Sequence, residues 1–288
     1  MREIIVVGAG VIGLTSAIRL LEAGHRVRIL ARDFPPHTTS DVAGAIWYPY
    51  EAYPTGRVLP WAVRSLEVYG ELAKLRGSGV RWITLTELYR QSAEHTWWDE
   101  TALKVSRPAA ASLPPGIQDA RRARIPLIEI PVYMPQLVER FLAAEGKFEQ
   151  VELGGRVELA SLAEVVINCS GLGSRLLAND PGVFPIRGQV VRVRAPGVDS
   201  YLLEATPDAL THIFPRTQDC VLGGTVEYDN WSLEPEDSTT EAILRRTSAL
   251  LPELNQAEVL ESAVGLRPGR REVRLEAEKI GGSTIIHN

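Results

Sequence analysis

Residues 8–13 read Gly8-Ala9-Gly10-Val11-Ile12-Gly13, and the segments flanking them restrict this chain more than any other feature. Glu3 to Val7 is a short β-branched run, expected as a buried strand. After the glycines, Leu14, Ala17, Ile18, Leu20 and Leu21 recur at helical spacing, and Gly24 stands where a C-terminal cap belongs. His25 to Leu30 alternates and reads as a second, parallel strand. The pattern is a βαβ unit with a dinucleotide turn in its proper context. Gly8 permits the tight turn, Gly10 lets backbone approach a pyrophosphate, and Gly13 lets helix and strand pack closely. The phosphate then meets free N–H groups of the turn, which also holds Ala9, Val11 and Ile12, at the positive end of the helix. An acid is expected at the end of the second strand to hold the ribose. That place holds Ala31, Arg32 and Asp33. Arg32 alone hints at a 2′-phosphate and so at NADP. The plainer alternative leaves Arg32 solvated and puts Asp33 on the ribose. The turn does not separate NAD, NADP and FAD.

The bulk of the chain excludes several other classes. Its 288 residues suffice for one large domain or two interleaved ones, and shares of 45% hydrophobic and 23% charged residues are those of an ordinary globular protein. A formal net charge of −5 offers no basic field, so nucleic acid is not expected as a partner. The two cysteines, Cys169 and Cys220, are too few for a disulfide framework and are not spaced as metal ligands. Each lies in an apolar run, so buried, inert thiols are expected. The apolar N-terminus is broken by glycines and followed by no cleavage site, which argues for a first strand over a signal peptide or membrane span. A cytoplasmic protein without a membrane anchor is the expectation.

The segment from Thr38 to Tyr50 points beyond a plain nucleotide domain. Thr38, Thr39 and Ser40 supply hydroxyls, Gly44 and Ala45 are small, and Ile46 leads into the aromatics Trp47, Tyr48 and Tyr50. Such a stretch suits a loop passing close to a bulky ligand. With it, the chain resembles the D-amino-acid oxidases. The resemblance rests on the 8–13 turn, this segment, Val165–Gly171, His212–Gln218, Leu222–Gly224, Asn230-Trp231, Gly265–Arg270 and the closing Ile285–Asn288, in the family's order over nearly the whole chain. It implies FAD as cofactor. It also implies an α/β (α+β) fold: a Rossmann-like FAD-binding domain interleaved with a mixed-sheet substrate domain. The expected division is 1–60, 125–185 and 275–288 for the FAD-binding domain, with 61–124 and 186–274 for the other. By the same match Val157 and Ser170 contact FAD, as do the turn, Ala31, Arg32, Thr38 to Ser40 and Gly44 to Ile46.

Local patterns fill in the remainder. Helices are expected over Trp61–Leu75, after Pro131 and over Glu241–Leu251. Strands are expected at Trp82–Tyr89, Ile125–Pro131, Val151–Leu159, Val165–Cys169, Gln189–Val193, Tyr201–Glu204, His212–Phe214 and Cys220–Val226. Ser106 to Gly116, rich in Pro, Ala and Ser, reads as a loop.

The implied reaction is the oxidation of a D-amino acid to an imino acid and then a 2-oxo acid, with O2 reduced to hydrogen peroxide. The protein must hold the substrate Cα against the flavin, and a forked guanidinium is the side chain shaped for the carboxylate. Gly265-Leu266-Arg267-Pro268 matches the family's run and makes Arg267 that clamp, although Arg270, Arg271 and Arg274 nearby also fit a solvated basic strand. Tyr50 matches a pocket tyrosine, and Tyr48 stands where the family often has Gln. His212 and Asp208 replace two frequent tyrosines. His212 can still donate a hydrogen bond to the carboxylate, and Asp208 would favour a cationic side chain. D-Aspartate oxidases carry a further Arg beyond Leu-Gly-Gly, where this chain has Val226, with Glu227 beside it. Neutral, or basic, D-amino acids are therefore the expected substrates. A glycine or sarcosine oxidase is the alternative, and an NADP-linked dehydrogenase rests on Arg32 alone. In the resembling family a His-Asn pair such as His287-Asn288 is followed by a glycine-rich turn and a final helix. A form truly ending there is expected to hold FAD weakly and to be catalytically silent. Family members often form homodimers, but no apolar stripe singles out an interface.

Overall fold

The computed structural model describes residues 3–49, 52–94, 96–101, 103–206 and 209–288. The chain opens with strand β1 (Glu3–Val7), helix α1 (Val11–Glu22) and strand β2 (Arg26–Ala31). Helix α2 (Thr55–Leu72) then leads into β3 (Val80–Tyr89), the two-residue β4 (Val105–Ser106) and the long β5 (Asp119–Ile128). Helix α3 (Ile130–Ala143) follows, with Pro131 in its first turn, where a missing N–H costs nothing. Next come β6 (Lys147–Gln150), α4 (Arg156–Ser161), β7 (Val165–Asn168) and the short α5 (Ser174–Leu177). The second half supplies β8 (Phe184–Arg194), β9 (Tyr201–Thr206), β10 (Ala209–Pro215), β11 (Cys220–Gly223) and β12 (Glu227–Tyr228). It ends with α6 (Asp237–Leu250), β13 (Glu258–Gly269) and the hairpin of β14 (Glu276–Ile280) and β15 (Ser283–His287).

These strands sort into two sheets. Six form the order β14-β15-β7-β1-β2-β6, parallel except for the antiparallel β14 at its edge. Parallel strands buried on both faces read as unbroken apolar runs, and alternation here assigns the faces. Ile4 and Val6 pack with Leu14, Ala17, Leu137 and Phe141 under α1 and α3. Ile5 and Val7 pack with Leu159, Val166, Leu177 and Ile285 under α4 and α5. Each such fully buried aliphatic side chain contributes roughly 1.5–3 kcal/mol.

The second sheet has nine strands in the order β12-β8-β11-β10-β9-β3-β5-β4, with β13 also on β8. It is mixed, because β3 and β9 run parallel while the other pairs are antiparallel. One face buries Ile83, Leu85, Ile125, Leu127, Leu203 and Phe214 with Trp47 and Trp98. The other buries Val191, Val193, Ile213 and Leu222 against Ile243 of α6. The architecture is thus the expected mixed α/β one.

One expected strand is replaced. Residues 151–159 alternate in polarity, yet the strand there is β6, which stops at Gln150, and 156–161 is the helix α4. Gly154-Gly155 interrupts the alternation, and the Glu158 carboxylate accepts the Gly154 N–H at 2.6 Å, folding the chain into a turn. Leu159 is then buried while Val157 is 86% exposed. Similarly β11 ends at Gly223, and the chain departs from the strand before Val226.

Candidate active site

The glycine turn has the packing its spacing requires. Gly8 lies at φ +108°, and a Cβ there would stand 2.3 Å from the Cys169 carbonyl oxygen on the next strand. At Gly13 a Cβ would come within 1.8 Å of the Gly8 oxygen, so helix and strand touch backbone to backbone. Gly10 differs: the nearest atom to its absent Cβ is the Ser40 hydroxyl at 3.1 Å. That hydroxyl accepts the Val11 N–H at 3.0 Å and so caps α1, whose own N-cap residue offers no side chain. Thr38 and Asp41 close a reciprocal cap on the short helical turn Thr39–Val42, with Asp41 accepting the Thr38 N–H at 2.9 Å and its hydroxyl at 2.7 Å. The structure thereby brings the turn and the Ser40 hydroxyl together at the positive end of α1, with Thr38 and Thr39 just before Ser40 in the chain. A bare Gly10 and this donor end form a cradle that fits a pyrophosphate.

Ser170 joins this cluster, next to Gly8, with its hydroxyl donating to Asn168 Oδ1 at 2.7 Å. Asn168 is held in turn by His287, whose other ring nitrogen faces Glu278 at 3.2 Å. Ala31 is buried at the end of β2. Arg32 points to solvent, with its Nε 2.8 Å from Asp33. Val157 stands on the exposed side of α4.

From Ser40 the chain runs along the second sheet. Ala45 and Ile128 exchange backbone hydrogen bonds, Ile46 bridges Leu127, and Trp47 N–H donates to Pro126 O. This places Gly44, Ala45 and Ile46 on one wall of a cavity of about 240 Å³. Thr39, Tyr48, His212 and Arg267 also line it, among Val42, Val190, Leu203, Leu210 and Phe214. Three segments far apart in sequence, expected to share a site, therefore meet. Tyr50 and Asp208 lie outside the described residues. A larger cleft of about 880 Å³ lies between α1, α2 and α3 and touches none of the expected site residues. Its charges are paired, Arg64 with Glu67 and Lys74 with Glu71 inside the cleft, and Arg19 and Arg140 with Glu22 beside it.

Two glycines give the polar side chains their places. His212 faces Gly223 directly across the β10–β11 ladder, and a Cβ on Gly223 would fall 1.8 Å from the imidazole. The ring lies flat on that gap, stacked against Phe214 with centroids 4.5 Å apart and planes 18° apart. His212 is 7% exposed, and neither ring nitrogen has a hydrogen-bond partner among the described residues. Burial first, then the charge of Arg267, pushes its pKa from 6.5 down to about 3, so the imidazole is neutral. The Arg267 guanidinium donates from Nη2 to the Thr225 carbonyl at 3.1 Å. Tyr48 donates to Glu87 at 2.6 Å, and burial raises its pKa further from neutrality. Glu87 is buried and also accepts from the Trp98 indole.

Glu87 was not among the expected residues. Its signal was a lone acid on the apolar face Ile83-Leu85-Glu87, whereas Trp98 carried no local cue. Phe214 was discoverable too, since alternation along β10 puts it on the face of His212. Glu227, beside Val226, pairs with the fully buried Arg187 at 2.6 Å and accepts from Asn230 at 2.7 Å. Arg270 and Arg274 of the basic run both bind Asp180, leaving only Arg267 of that group on the cavity. Cys169 and Cys220 are buried free thiols whose pKa values burial raises to about 12, as expected of inert cysteines.

Comparison with known proteins agrees with this geometry. The profile of the DAO family, described as FAD dependent oxidoreductase, matches residues 3–284. The chain is 50% identical to the D-amino-acid oxidase of Rubrobacter xylanophilus, over 99% of this chain and 88% of that one. It is 43% identical to the D-amino-acid oxidase of Streptomyces coelicolor, over 99% and 89%. Against the D-aspartate oxidase of Homo sapiens the identity is 33%, over 96% and 84%. Among solved structures, the glycine oxidase from Geobacillus kaustophilus superposes with a TM-score of 0.82 at 20% identity, covering 100% of this chain and 89% of that one, which is a likeness of fold. The glycine cradle, the hydroxyl loop and the shared profile give one answer: this chain belongs to the DAO family of FAD-dependent oxidoreductases.

Proposed function

We propose that this chain catalyses the oxidative deamination of D-amino acids with neutral side chains. The observation carrying the proposal is the cavity itself. It sets one guanidinium and one neutral imidazole among apolar walls, beside a loop that continues directly into the dinucleotide cradle. The names of the relatives at 50% and 43% identity support the same reading.

The 8–13 turn, Thr38 to Ser40 and Ser170 would hold the dinucleotide, with Gly44 to Ile46 against the flavin. Ala31 and Arg32 would lie toward the ribose, and Val157 toward the adenine. When bound there, FAD would supply the electron sink for oxidation at the substrate Cα, with O2 as the final acceptor and hydrogen peroxide as its product. Arg267 binds the substrate carboxylate through its forked donors. His212 is too weak a base to take the ammonium proton, so the amine loses it to water and binds as the free base. The neutral ring instead donates an N–H to the carboxylate. Tyr48, fixed by Glu87, closes the wall behind the substrate, and the apolar lining excludes water from Cα. A second carboxylate would be desolvated there with no further cation among the described lining residues. Two buried free thiols support a cytoplasmic setting.

The test is an anaerobic absorbance spectrum. Flavin bands should bleach on adding D-alanine and stay unchanged with L-alanine, and steady-state kcat/KM should favour D-alanine over D-aspartate by about tenfold or more. Bleaching by glycine or sarcosine in preference to D-alanine would reject the proposal. So would a kcat/KM for D-aspartate at or above that for D-alanine.

A further inference from the structure

Arg267 does not reach its hydrogen-bond partner along its own strand. β13 and β11 both pair with β8 at Val190, through Ala263 and Gly223, so they flank β8 on opposite edges. Thr225 follows β11 and therefore lies on the far side of β8 from Arg267. The guanidinium nevertheless donates to the Thr225 carbonyl at 3.1 Å. It does so by crossing β8 above Gly188, where a Cβ would stand 2.1 Å from Nη2 and 2.9 Å from Cζ. Gly188 pairs with Gly265, so the crossing side chain finds no Cβ at either step of the ladder.

The carbonyl on the far side is itself anchored. The Thr225 hydroxyl accepts the Gln189 N–H at 3.0 Å. Gln189 also binds both the N–H and the carbonyl of Glu236, each at 2.9 Å. Arg187, on the other flank of Gly188, binds the Ser232 and Glu234 carbonyls at 3.1 and 2.6 Å and the Glu227 carboxylate at 2.6 Å. The two residues bracketing Gly188 thus tie down the loop that presents the Thr225 oxygen.

From this we infer that Gly188 is a positioning residue for the substrate carboxylate: its missing side chain is the saddle that holds the Arg267 guanidinium across β8. This rests on the reading of Arg267 as the carboxylate clamp. An added methyl would meet the far end of the flexible Arg267 side chain most closely and the Thr225 carbonyl oxygen at 3.3 Å, so the fold can yield by moving Arg267, with a few tenths of an ångström of give at Thr225, while β8 stays in place. The loss should then appear in carboxylate affinity and only where Arg267 is present.

A double-mutant cycle tests this on the FAD-loaded protein. Wild type, Gly188→Ala, Arg267→Ala and the double variant are titrated with benzoate, an unreactive monocarboxylate, following the flavin difference spectrum. FAD dissociation constants are measured alongside by fluorescence. Gly188→Ala should weaken benzoate by about tenfold or more in the wild-type background and by less than about twofold in the Arg267→Ala background, with FAD affinity unchanged. Equal weakening in both backgrounds, or none in the first, overturns the inference while leaving the clamp intact. Unchanged benzoate affinity in Arg267→Ala removes the clamp reading, and the inference with it.

Discussion

At His212, burial and the neighbouring Arg267 push the imidazole in the same direction, to a pKa of about 3 against 6.5 when free. A folded-state pKa below the unfolded one means that the unfolded chain binds the extra proton first. Stability from this source is fully present above pH 6.5 and declines as pH falls toward 3, at up to about 1.4 kcal/mol per pH unit. His287 is shifted down as well, by burial first, with Glu278 opposing. Lowered carboxylates such as Asp119 and Asp219 act at lower pH, since their ordinary values lie near 4. Glu227 and Glu276, lowered from 4.5, begin to contribute below about pH 5.5, so between pH 6.5 and 5.5 the lowered groups among the described residues are these two histidines. Replacing His212 with Phe should flatten the dependence of melting temperature on pH across that window, with the His287 share left behind. A melting profile as steep as that of the wild type would show that His212 is not neutral in the native state.

The same residue illustrates what was readable in advance. Type and position made His212 a site candidate, but its partner in space, Gly223, is defined only by strand register. Gly188 beside Arg267 was hidden for the same reason. A glycine between Arg187 and Gln189 in an alternating strand has no local justification, and only the crossing guanidinium explains it.

At the scale of elements, the β1–α1–β2 unit was legible because periodicity, cap and glycine spacing agree over thirty residues. Residues 151–159 were not, since a polar alternation interrupted by two glycines suits either a strand or a turn into a helix. The pair Gly10 and Gly13 separates two jobs that one motif combines. A Cβ on Gly13 strikes the Gly8 backbone, whereas one on Gly10 meets only the Ser40 hydroxyl. In apoprotein, Gly13→Ala should lower the melting temperature by several degrees, while Gly10→Ala leaves it within about 2 °C and weakens FAD binding instead. Thermal melts and flavin fluorescence titration of the two variants decide the matter. Equal destabilisation of both would contradict the assignment. The loop from Thr225 to Glu236 supplies a third element-level test. Arg187, with 0% exposure, is its hub. Arg187→Met strands Glu227 and two carbonyls, an expected cost of about 3–5 kcal/mol, or roughly 10 °C in melting temperature. A melting temperature within about 2 °C of wild type would show that the hub is dispensable.

Across the whole molecule, the six-stranded sheet takes strands from residues 3–31, 147–168 and 276–287, and the nine-stranded sheet occupies the intervals. We propose a division into an FAD-binding domain (1–60, 125–185 and 275–288) and a substrate domain (61–124 and 186–274), whose bounds follow the two sheets except where they fall within α2, β5 and β8. Because each unit is threaded through the other, neither can unfold with its chain connections undisturbed. Calorimetry of the FAD-loaded protein should therefore show one transition, and excess FAD should raise its midpoint. Two resolved transitions, only one of them responsive to FAD, would separate the domains energetically.

The placement of β15 has a consequence for synthesis on the ribosome. β15 lies parallel to β7 and covers it with Ile285 fully buried, yet it is made more than a hundred residues later. Until it emerges, β7 presents an open, apolar strand edge of the kind that recruits other chains. Nascent chains long enough to form β1, β2 and β7 but not β15 are thus the species with most to gain from a chaperone. Slowing translation between the codons for Asn168 and Ser283 should cost soluble yield, and an unchanged yield would contradict this account.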